Sequence, residues 1–262
     1  MKLTHHLVLA SVLSTASAST AALDLSASTH VKYFDYQEFD LDGSSLNHET
    51  GFIPGIGLTL DHGKHRLWAS WTHGDVNYDG QLQSGTPHVT DTRQVISSYG
   101  YEYAFFTSNS SAIELLAGIS AHRWQRHILP SNGIQGVNAD YQWQQLYAGL
   151  RYKPGEIFNL PLEFGLNIFQ TRKSSVDINL ESIGYGSPQL EMGEKPGFQA
   201  TLKYYKAVSD QLTVNLLLET TRRETGRSRT VSISNGTSTL NIAEPESVSW
   251  HTNIGISLEY RL

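Results

Sequence analysis

The alternation of apolar and polar residues is clearest in the last fifteen residues, 248–262. Every second side chain there is large and apolar or is threonine, and the residues between them are polar or glycine. A period of two indicates an extended strand. In a soluble sheet such a strand would be an adhesive edge. A membrane strand of about nine to eleven residues instead turns that face to lipid, so the pattern predicts a membrane-spanning strand.

The same alternation recurs along the chain and is interrupted by polar connections. The predicted strands are 23–33, 52–60, 66–72, 94–105, 113–122, 146–152, 160–168, 198–205, 212–216 and 248–262. Long polar stretches (35–49, 74–91, 126–139, 169–195 and 225–247) alternate with short turns (61–64, 107–111, 153–155 and 208–211). This order predicts an all-β fold: a transmembrane antiparallel up-and-down β-barrel of about ten strands, with short periplasmic turns and long extracellular loops. A soluble β-sandwich is the alternative, but it needs neither matched apolar faces nor this asymmetry of connections.

Three local features refine the barrel prediction. The first and last strands match in length and contrast, so we expect them to pair and close the sheet. The alternation changes phase at Gln144 and Gln145, which we interpret as a bulge. Gly55 and Gly57 lie on the polar face of the second strand and are predicted to make room for bulky neighbours inside a narrow barrel.

The start of the chain has the features of an export signal. Lys2 precedes a short apolar run at 7–13, and small residues follow up to an Ala16-Ser17-Ala18 step. We therefore predict a signal peptide at residues 1–18, removed after Ala18, and a barrel domain at residues 19–262. An ordinary N-terminal helix is the alternative.

Composition excludes several classes of protein. No apolar run reaches the roughly eighteen residues of a transmembrane helix, so strands must cross any membrane. Without residues 1–18, which contain one Lys and no acid, 18 basic residues face 25 acidic ones, a balance of -7 that argues against nucleic acid as a partner. The absence of Cys excludes a disulfide framework and thiolate metal sites.

The polar faces of the predicted strands carry a set of charged and titratable residues. These candidate lumen residues are Arg66, Glu102, Glu114, His122, Arg151, Glu163, Lys203, Glu259 and Arg261. Side chains fill the interior of a barrel of about eight strands, whereas barrels of sixteen or more leave a channel. Buried charges need partners, so we predict a lumen mostly plugged by ion pairs. A narrow pore is the alternative.

Three groups of residues were weighed as sites of chemistry. Ser120 and His122 lie two apart on one face, with Glu114 further along it, which is a spacing for a nucleophile and its base. The other two groups are His73, Asp75 and Asp79 as a water-activating set, and Asp61, His62 and His65 as metal ligands. A polar lumen face and solvated turns offer such combinations by chance. We therefore predict no enzyme activity, no metal and no cofactor.

The final strand resembles the carboxy-terminal assembly signal of bacterial outer-membrane β-barrels. In that pattern the last residue is apolar, usually Phe, and apolar or aromatic residues precede it at every second position. The matching residues here are Ile254, Ile256, Leu258, Tyr260 and Leu262. The resemblance implies that the barrel-assembly machinery recognises this strand, and Leu in the final place is a departure from the pattern.

The ten-strand plan with large outer connections resembles that of the omptin family, and more broadly that of small barrels of the omptin-like and OmpA-like kinds. Omptins are outer-membrane proteases that use an Asp pair and an Asp-His pair at the barrel mouth. This chain has no closely spaced Asp pair in its second long connection, and its fourth reads S-S-V-D-I-N at 174–179. The resemblance therefore implies the architecture and not the protease activity.

These observations predict an integral outer-membrane barrel of a Gram-negative type envelope. We expect a structural or surface-interaction role, a monomer, and contacts with outer-membrane lipid, lipopolysaccharide and the assembly machinery, without nucleic acid. Two other classes stay open: a narrow, porin-like channel for small solutes, and a barrel-mouth hydrolase, either an omptin-like protease or a lipid-modifying enzyme.

Overall fold

The computed structural model describes residues 23–81, 85–108, 112–154 and 161–262. The predicted signal peptide at 1–18 lies outside these residues, as do parts of the predicted turns at 107–111 and 153–155. Within the described ranges the strands are β1 Leu23–Phe39, β2 Ser45–His62, β3 His65–Gln81, β4 Pro87–Ser108, β5 Ile113–Ile128, β6 Val137–Tyr152, β7 Leu162–Asn179, β8 Gln189–Glu191, β9 Pro196–Ala207, β10 Leu212–Thr225, β11 Val231–Ser234, β12 Thr239–Ile242 and β13 Glu246–Arg261.

Ten of these strands close into an antiparallel barrel. Their order around the wall is β6, β5, β4, β3, β2, β1, β13, β10, β9 and β7, and β6 also pairs with β7. The first and last strands pair along their whole length, from Asp24 opposite Arg261 to Phe39 opposite Glu246. The predicted ten-strand closed barrel and the predicted pairing of its first and last strands are both confirmed.

The small elements gather at one end of the barrel. Strand β8 pairs with β7, β11 and β12 form a hairpin, and a 3-10 helix spans Glu181–Ile183. We call this the loop end; the opposite, turn end holds the β2–β3 turn at Gly63 and Lys64 and the end of β13. No helix in the described part of the chain is long and apolar enough to span a membrane.

A belt of exposed apolar side chains surrounds the half of the barrel nearest the turn end. Phe52 is 69% exposed and Ile254 and Ile168 are each 65% exposed. Other exposed members are Leu25, Val31, Ile56, Leu58, Trp71, Tyr99, Ile119, Leu146, Leu166, Leu216, Ile256 and Leu258. A continuous apolar surface of this extent is incompatible with water and is the lipid-facing band of a membrane barrel.

The strands continue well beyond this belt. Strands β2 and β4 have 18 and 22 residues, whereas about nine to eleven are enough to span a membrane. The predicted long connections are therefore mostly strand, and the polar stretches 35–49 and 74–91 belong largely to β1–β4. Their outward side chains are polar and form exposed ion pairs, such as Asp75 with Arg93 at 3.2 Å.

The polarity of the two barrel faces inverts where the strands leave the belt. In β1, Val31 and Tyr33 point outward and Lys32 inward; further along, Phe34 and Tyr36 are buried inside while Asp35 is on the outside. The apolar face is therefore the outer one beside lipid and the inner one beside water. A one-residue shift in the apolar pattern marks the edge of the belt.

This inversion corrects the predicted bulge at Gln144 and Gln145. Strand β6 keeps its alternation there, with Trp143 and Gln145 both facing inward. The irregular pairing between Gln142 and Gln144 takes up an extra residue in β7, where Lys173 has a φ of 49°. The Lys173 amide donates to Glu194 at 3.0 Å. The phase change in the sequence is thus the inversion of faces, and the bulge lies in the neighbouring strand.

The inner wall is crowded next to its glycines. A Cβ on Gly55 would lie 2.4 Å from His30 Nε2, and one on Gly57 would lie 2.6 Å from Ser28 Oγ. Side chains from β1 therefore lie across the glycines of β2, which narrows the lumen.

Candidate functional site in the barrel interior

The interior contains three successive sets of side chains. Near the turn end is a layer of ion pairs around Arg151, which we call the turn-end layer. Above it is a polar cavity of about 350 Å³, the central chamber, lined among others by His122 and Arg223. Above the chamber is the loop-end layer, formed by aromatic rings and an ion cluster around Arg126.

The turn-end layer is organised by one arginine. Arg151 Nη1 lies 2.8 Å from Glu114 Oε2, its Nε lies 3.3 Å from Glu163 Oε1, and its Nη2 contacts Glu102. Strands β4, β5, β6 and β7 are consecutive in the wall, so their inward residues converge on one guanidinium. Such charge-assisted contacts satisfy several donors of the arginine at once.

The other charged candidates lie around this centre. Arg66 contacts Asp61 at 2.6 Å and Glu102 at 3.7 Å, and Lys203 contacts Glu259 at 3.2 Å. Sequence reasoning did not include Asp61, Asp24 or Lys153 in the lumen set. Arg261 lies at the rim, where its 61% exposed side chain contacts Asp24 at 3.1 Å, and Lys153 contacts Glu114 at 3.1 Å. Asp61 and Asp24 were in phase with the polar faces, which is the signal that could have found them.

His122 lies apart from this layer, in the central chamber. Its Nε2 is 2.8 Å from Ser120 Oγ and its Nδ1 is 2.8 Å from Ser98 Oγ. Its ring stacks on Trp143 at a centroid distance of 5.0 Å. The structure joins Ser120 to His122 but does not bring Glu114 to the imidazole, because Glu114 contacts the turn-end cations.

The other candidate groups do not assemble into a site. His73, Asp75 and Asp79 are exposed on the outer wall of β3, outside the barrel mouth. Asp61 contacts Arg66, and His65 Nδ1 lies 2.7 Å from the Tyr101 hydroxyl. Across the described ranges, no three His, Asp, Glu or Cys side chains are arranged to hold a metal ion.

The loop-end layer contains a buried ion cluster. Arg126 Nη1 lies 2.7 Å from Glu38 Oε1, and its Nε donates to Glu49 Oε1 at 2.6 Å. The Tyr141 hydroxyl donates to Glu244 Oε1 at 2.6 Å. Glu49 is 0% exposed and Arg126 and Glu38 are each 5% exposed. These groups are among the most deeply buried charges of the described chain.

Aromatic rings pack around this cluster. Trp124 stacks on Tyr141 at 4.4 Å, meets Tyr36 edge-on at 4.9 Å and lies 5.6 Å from Phe34. The β11–β12 hairpin packs against the same cluster through Val231, Ile233 and Leu240. Side chains therefore fill the barrel mouth, and the last long connection covers it.

The charges of this layer do not balance. Three carboxylates, of Glu38, Glu49 and Glu244, surround the single guanidinium of Arg126 in the described contacts. Burial, and then repulsion by Glu38, raise the pKa of Glu244 to about 8. Glu244 lies in the connection before β13, outside the membrane-spanning part of the strands. At neutral pH this carboxyl group therefore keeps its proton.

Sequence reasoning missed the whole loop-end layer. Glu38, Glu49, Arg126 and Glu244 all fell in stretches predicted as loops. The available signal was phase: Phe34, Tyr36 and Glu38 continue the inward positions of β1 without a break.

Comparisons with known proteins show the fold and go no further. No protein-family model matches the chain, and no curated protein sequence matches it. The outer-membrane protease OmpT of Escherichia coli matches in structure with a TM-score of 0.53 and 10% identity, over 94% of this chain and 99% of OmpT. Two looser matches are the translocator domain of the autotransporter NalP of Neisseria meningitidis (TM-score 0.42, 12% identity, 89% and 87% coverage) and the attachment invasion locus protein Ail of Yersinia pestis (TM-score 0.37, 12% identity, 92% and 99% coverage). The chain has an outer-membrane β-barrel fold, which hosts proteins of several functions.

Proposed function

We propose that this protein is an integral outer-membrane barrel with a closed lumen, whose role is structural or lies in contacts made by its loop end. The observation that carries the proposal is the loop-end layer: Trp124 is 2% exposed and Glu49 is 0% exposed at the place where a channel would need water. A conducting pore leaves such side chains hydrated, whereas here they are packed together and covered by the β11–β12 hairpin.

The proposed orientation follows from the belt and the two ends. The turn end faces the periplasm, and the loop end extends past the lipopolysaccharide surface as a polar wall. The proposed partners are outer-membrane lipid and lipopolysaccharide at the belt, and the assembly machinery at β13. Export by a signal peptide at residues 1–18 and a monomeric state belong to the same proposal.

Planar-bilayer recordings test the closed lumen. We expect protein that is inserted in the bilayer to show no ohmic conductance above that of the bare bilayer. Insertion is verified separately, from the shift in gel mobility on boiling of the same vesicle preparation. A steady conductance proportional to the amount of inserted protein would favour the narrow-channel alternative.

The hydrolase alternative has weak support from the geometry. Ser120 is 3% exposed, and the imidazole of His122 has Ser98 as its second partner where a carboxylate would orient a catalytic base. We expect no turnover of peptides or phospholipids by the folded protein. Turnover that is lost in His122→Ala and retained in His73→Ala would contradict this expectation.

A further inference from the structure

Arg223 is a buried arginine without a charged partner. It points inward from β10, is 5% exposed, and its guanidinium carbon lies 3.9 Å from the centre of the Trp143 ring. Its Nε and Nη1 have no hydrogen-bond partner among the protein atoms. Buried charges in proteins are normally paired, and removing the partner of one is strongly destabilising. The ring of Trp143 stabilises the cation but accepts no hydrogen bond from these nitrogens in the ring plane.

Other polar atoms without partners border the same cavity. The indole N–H of Trp143 and Nε2 of His251 are buried and have no hydrogen-bond partner in the described protein, and both residues line the central chamber. Lys32 lines it from β1. Among the described residues, neither Lys32 nor Arg223 has a carboxylate oxygen within 4.0 Å of a side-chain nitrogen. Such groups in a native interior indicate an additional binding partner.

The charge balance of this part of the chamber gives the sign of that partner. Glu219 is the carboxylate that shares the upper chamber with Lys32 and Arg223, and its Oε1 accepts from Asn253 Nδ2 at 2.7 Å. Two cations against one carboxylate leave one positive charge. Water can satisfy N–H groups but cannot neutralise this charge, whereas one monoanion does both.

The turn end gives access to the chamber. Its lining continues down to Arg151, Glu163 and Lys203, and the side chain of Lys203 is 23% exposed. The loop-end layer is nearly inaccessible by comparison. The cavity of about 350 Å³ is within the size range of small-ligand sites.

From these observations we propose that the central chamber binds a small monoanionic carboxylate, held by the Arg223 guanidinium with Lys32 and the indole N–H of Trp143 as further donors. Arginine suits this role because its planar donors match the two oxygens of a carboxylate. The site is independent of the closed loop end, because its anion enters from the opposite side.

Trifluoroacetate is the probe for the first experiment, observed by fluorine NMR with folded protein in zwitterionic detergent micelles. We expect a saturable shift of the fluorine signal that acetate reverses. Arg223→Gln should weaken the binding about tenfold or more, since hydrogen bonds to charged groups contribute on this scale. The matched control is Arg222→Gln: Arg222 is the adjacent residue on the outer face, over the Trp250 ring, so this change should leave binding intact.

A second variant keeps the test decisive if Arg223→Gln does not fold. Lys32→Met removes the other unpaired cation and should also weaken binding. Three results would overturn the proposal: no saturable shift with the wild-type protein, equal affinity in wild type and folded Arg223→Gln, or displacement by chloride as effective as displacement by acetate.

Discussion

The Tyr141 hydroxyl donates a 2.6 Å hydrogen bond to Glu244, a residue 103 positions later in the chain. Tyr141 belongs to β6 and Glu244 to the connection between β12 and β13, so this contact joins the barrel wall to the covering hairpin. The Glu244 amide also donates to Ser228 Oγ at 2.8 Å, which fixes both ends of the connection. The closure of the loop end is therefore coupled to the protonation of one buried carboxyl group.

The first prediction concerns pH. The pKa of Glu244 is raised from 4.5 to about 8 in the folded protein, so between these values the folded state holds a proton that the unfolded state releases. The stabilising contribution is fully present below about pH 4.5 and is lost as the pH rises through 8. Urea unfolding of wild type should thus show decreasing stability across this window, and Glu244→Gln should remove that part of the slope.

Glu246→Gln is the matched control for this measurement. Glu246 lies two residues later, is about half exposed and contacts Lys195 at 3.4 Å. We expect its replacement to leave the pH dependence unchanged. Equal pH profiles for wild type and Glu244→Gln would show that another group is responsible.

The second prediction concerns the closed barrel as a whole. Every barrel strand is paired on both sides, so no open edge is available to detergent. Unheated protein in sodium dodecyl sulfate should remain folded and should migrate differently from boiled protein. Identical migration of the two samples, or recovery in the soluble periplasmic fraction, would contradict the membrane-barrel assignment.

The third prediction concerns assembly through β13. Tyr260 and Leu262 are 42% and 66% exposed on the outer face, next to the seam with β1. Replacing both by Asp places charge on the lipid side, at a cost below the roughly 2–4 kcal/mol of a basic residue at the membrane midplane. We expect lower outer-membrane levels, because the resemblance to the assembly signal is lost as well.

The control for assembly is Arg261→Ser, which changes the intervening residue. Arg261 contacts Asp24 at the rim and is outside the alternating apolar set. Immunoblots of isolated outer membranes compare the variants. Normal levels of the Tyr260→Asp, Leu262→Asp double variant would exclude β13 as the strand that directs assembly.

The sequence was sufficient to predict the barrel within its apolar belt. Beside lipid, the outward Val31 and Tyr33 contrast with the inward Lys32, so period-two alternation shows the strand directly. Beyond the belt the inward Tyr36 is apolar and the outward Asp35 is polar. A pattern that assumes one apolar face ends at this inversion, which is why the loop-end layer was assigned to loops.

The interior could be predicted only in part, for a related reason. Facing alone identified Arg151 and three of its carboxylate partners, since these lie in phase on adjacent strands. It did not identify which cations have no partner. Arg223 and Glu219 lie in the part of β10 beyond the predicted strand at 212–216, and partner choice depends on strand register across the closed wall.

The final prediction tests whether the turn-end layer is a plug. Arg151 is shared by Glu102, Glu114 and Glu163 and its side chain is 12% exposed, so Arg151→Gln leaves several confined carboxylates without their main partner. We expect the free energy of unfolding in urea to fall by about 3–5 kcal/mol. Arg261→Gln, at the same end but 61% exposed, should cost about 0–1 kcal/mol. If Arg151→Gln unfolds like wild type and its bilayer conductance rises to an ohmic level, then water already hydrates these charges, and the turn-end layer is the lining of a pore.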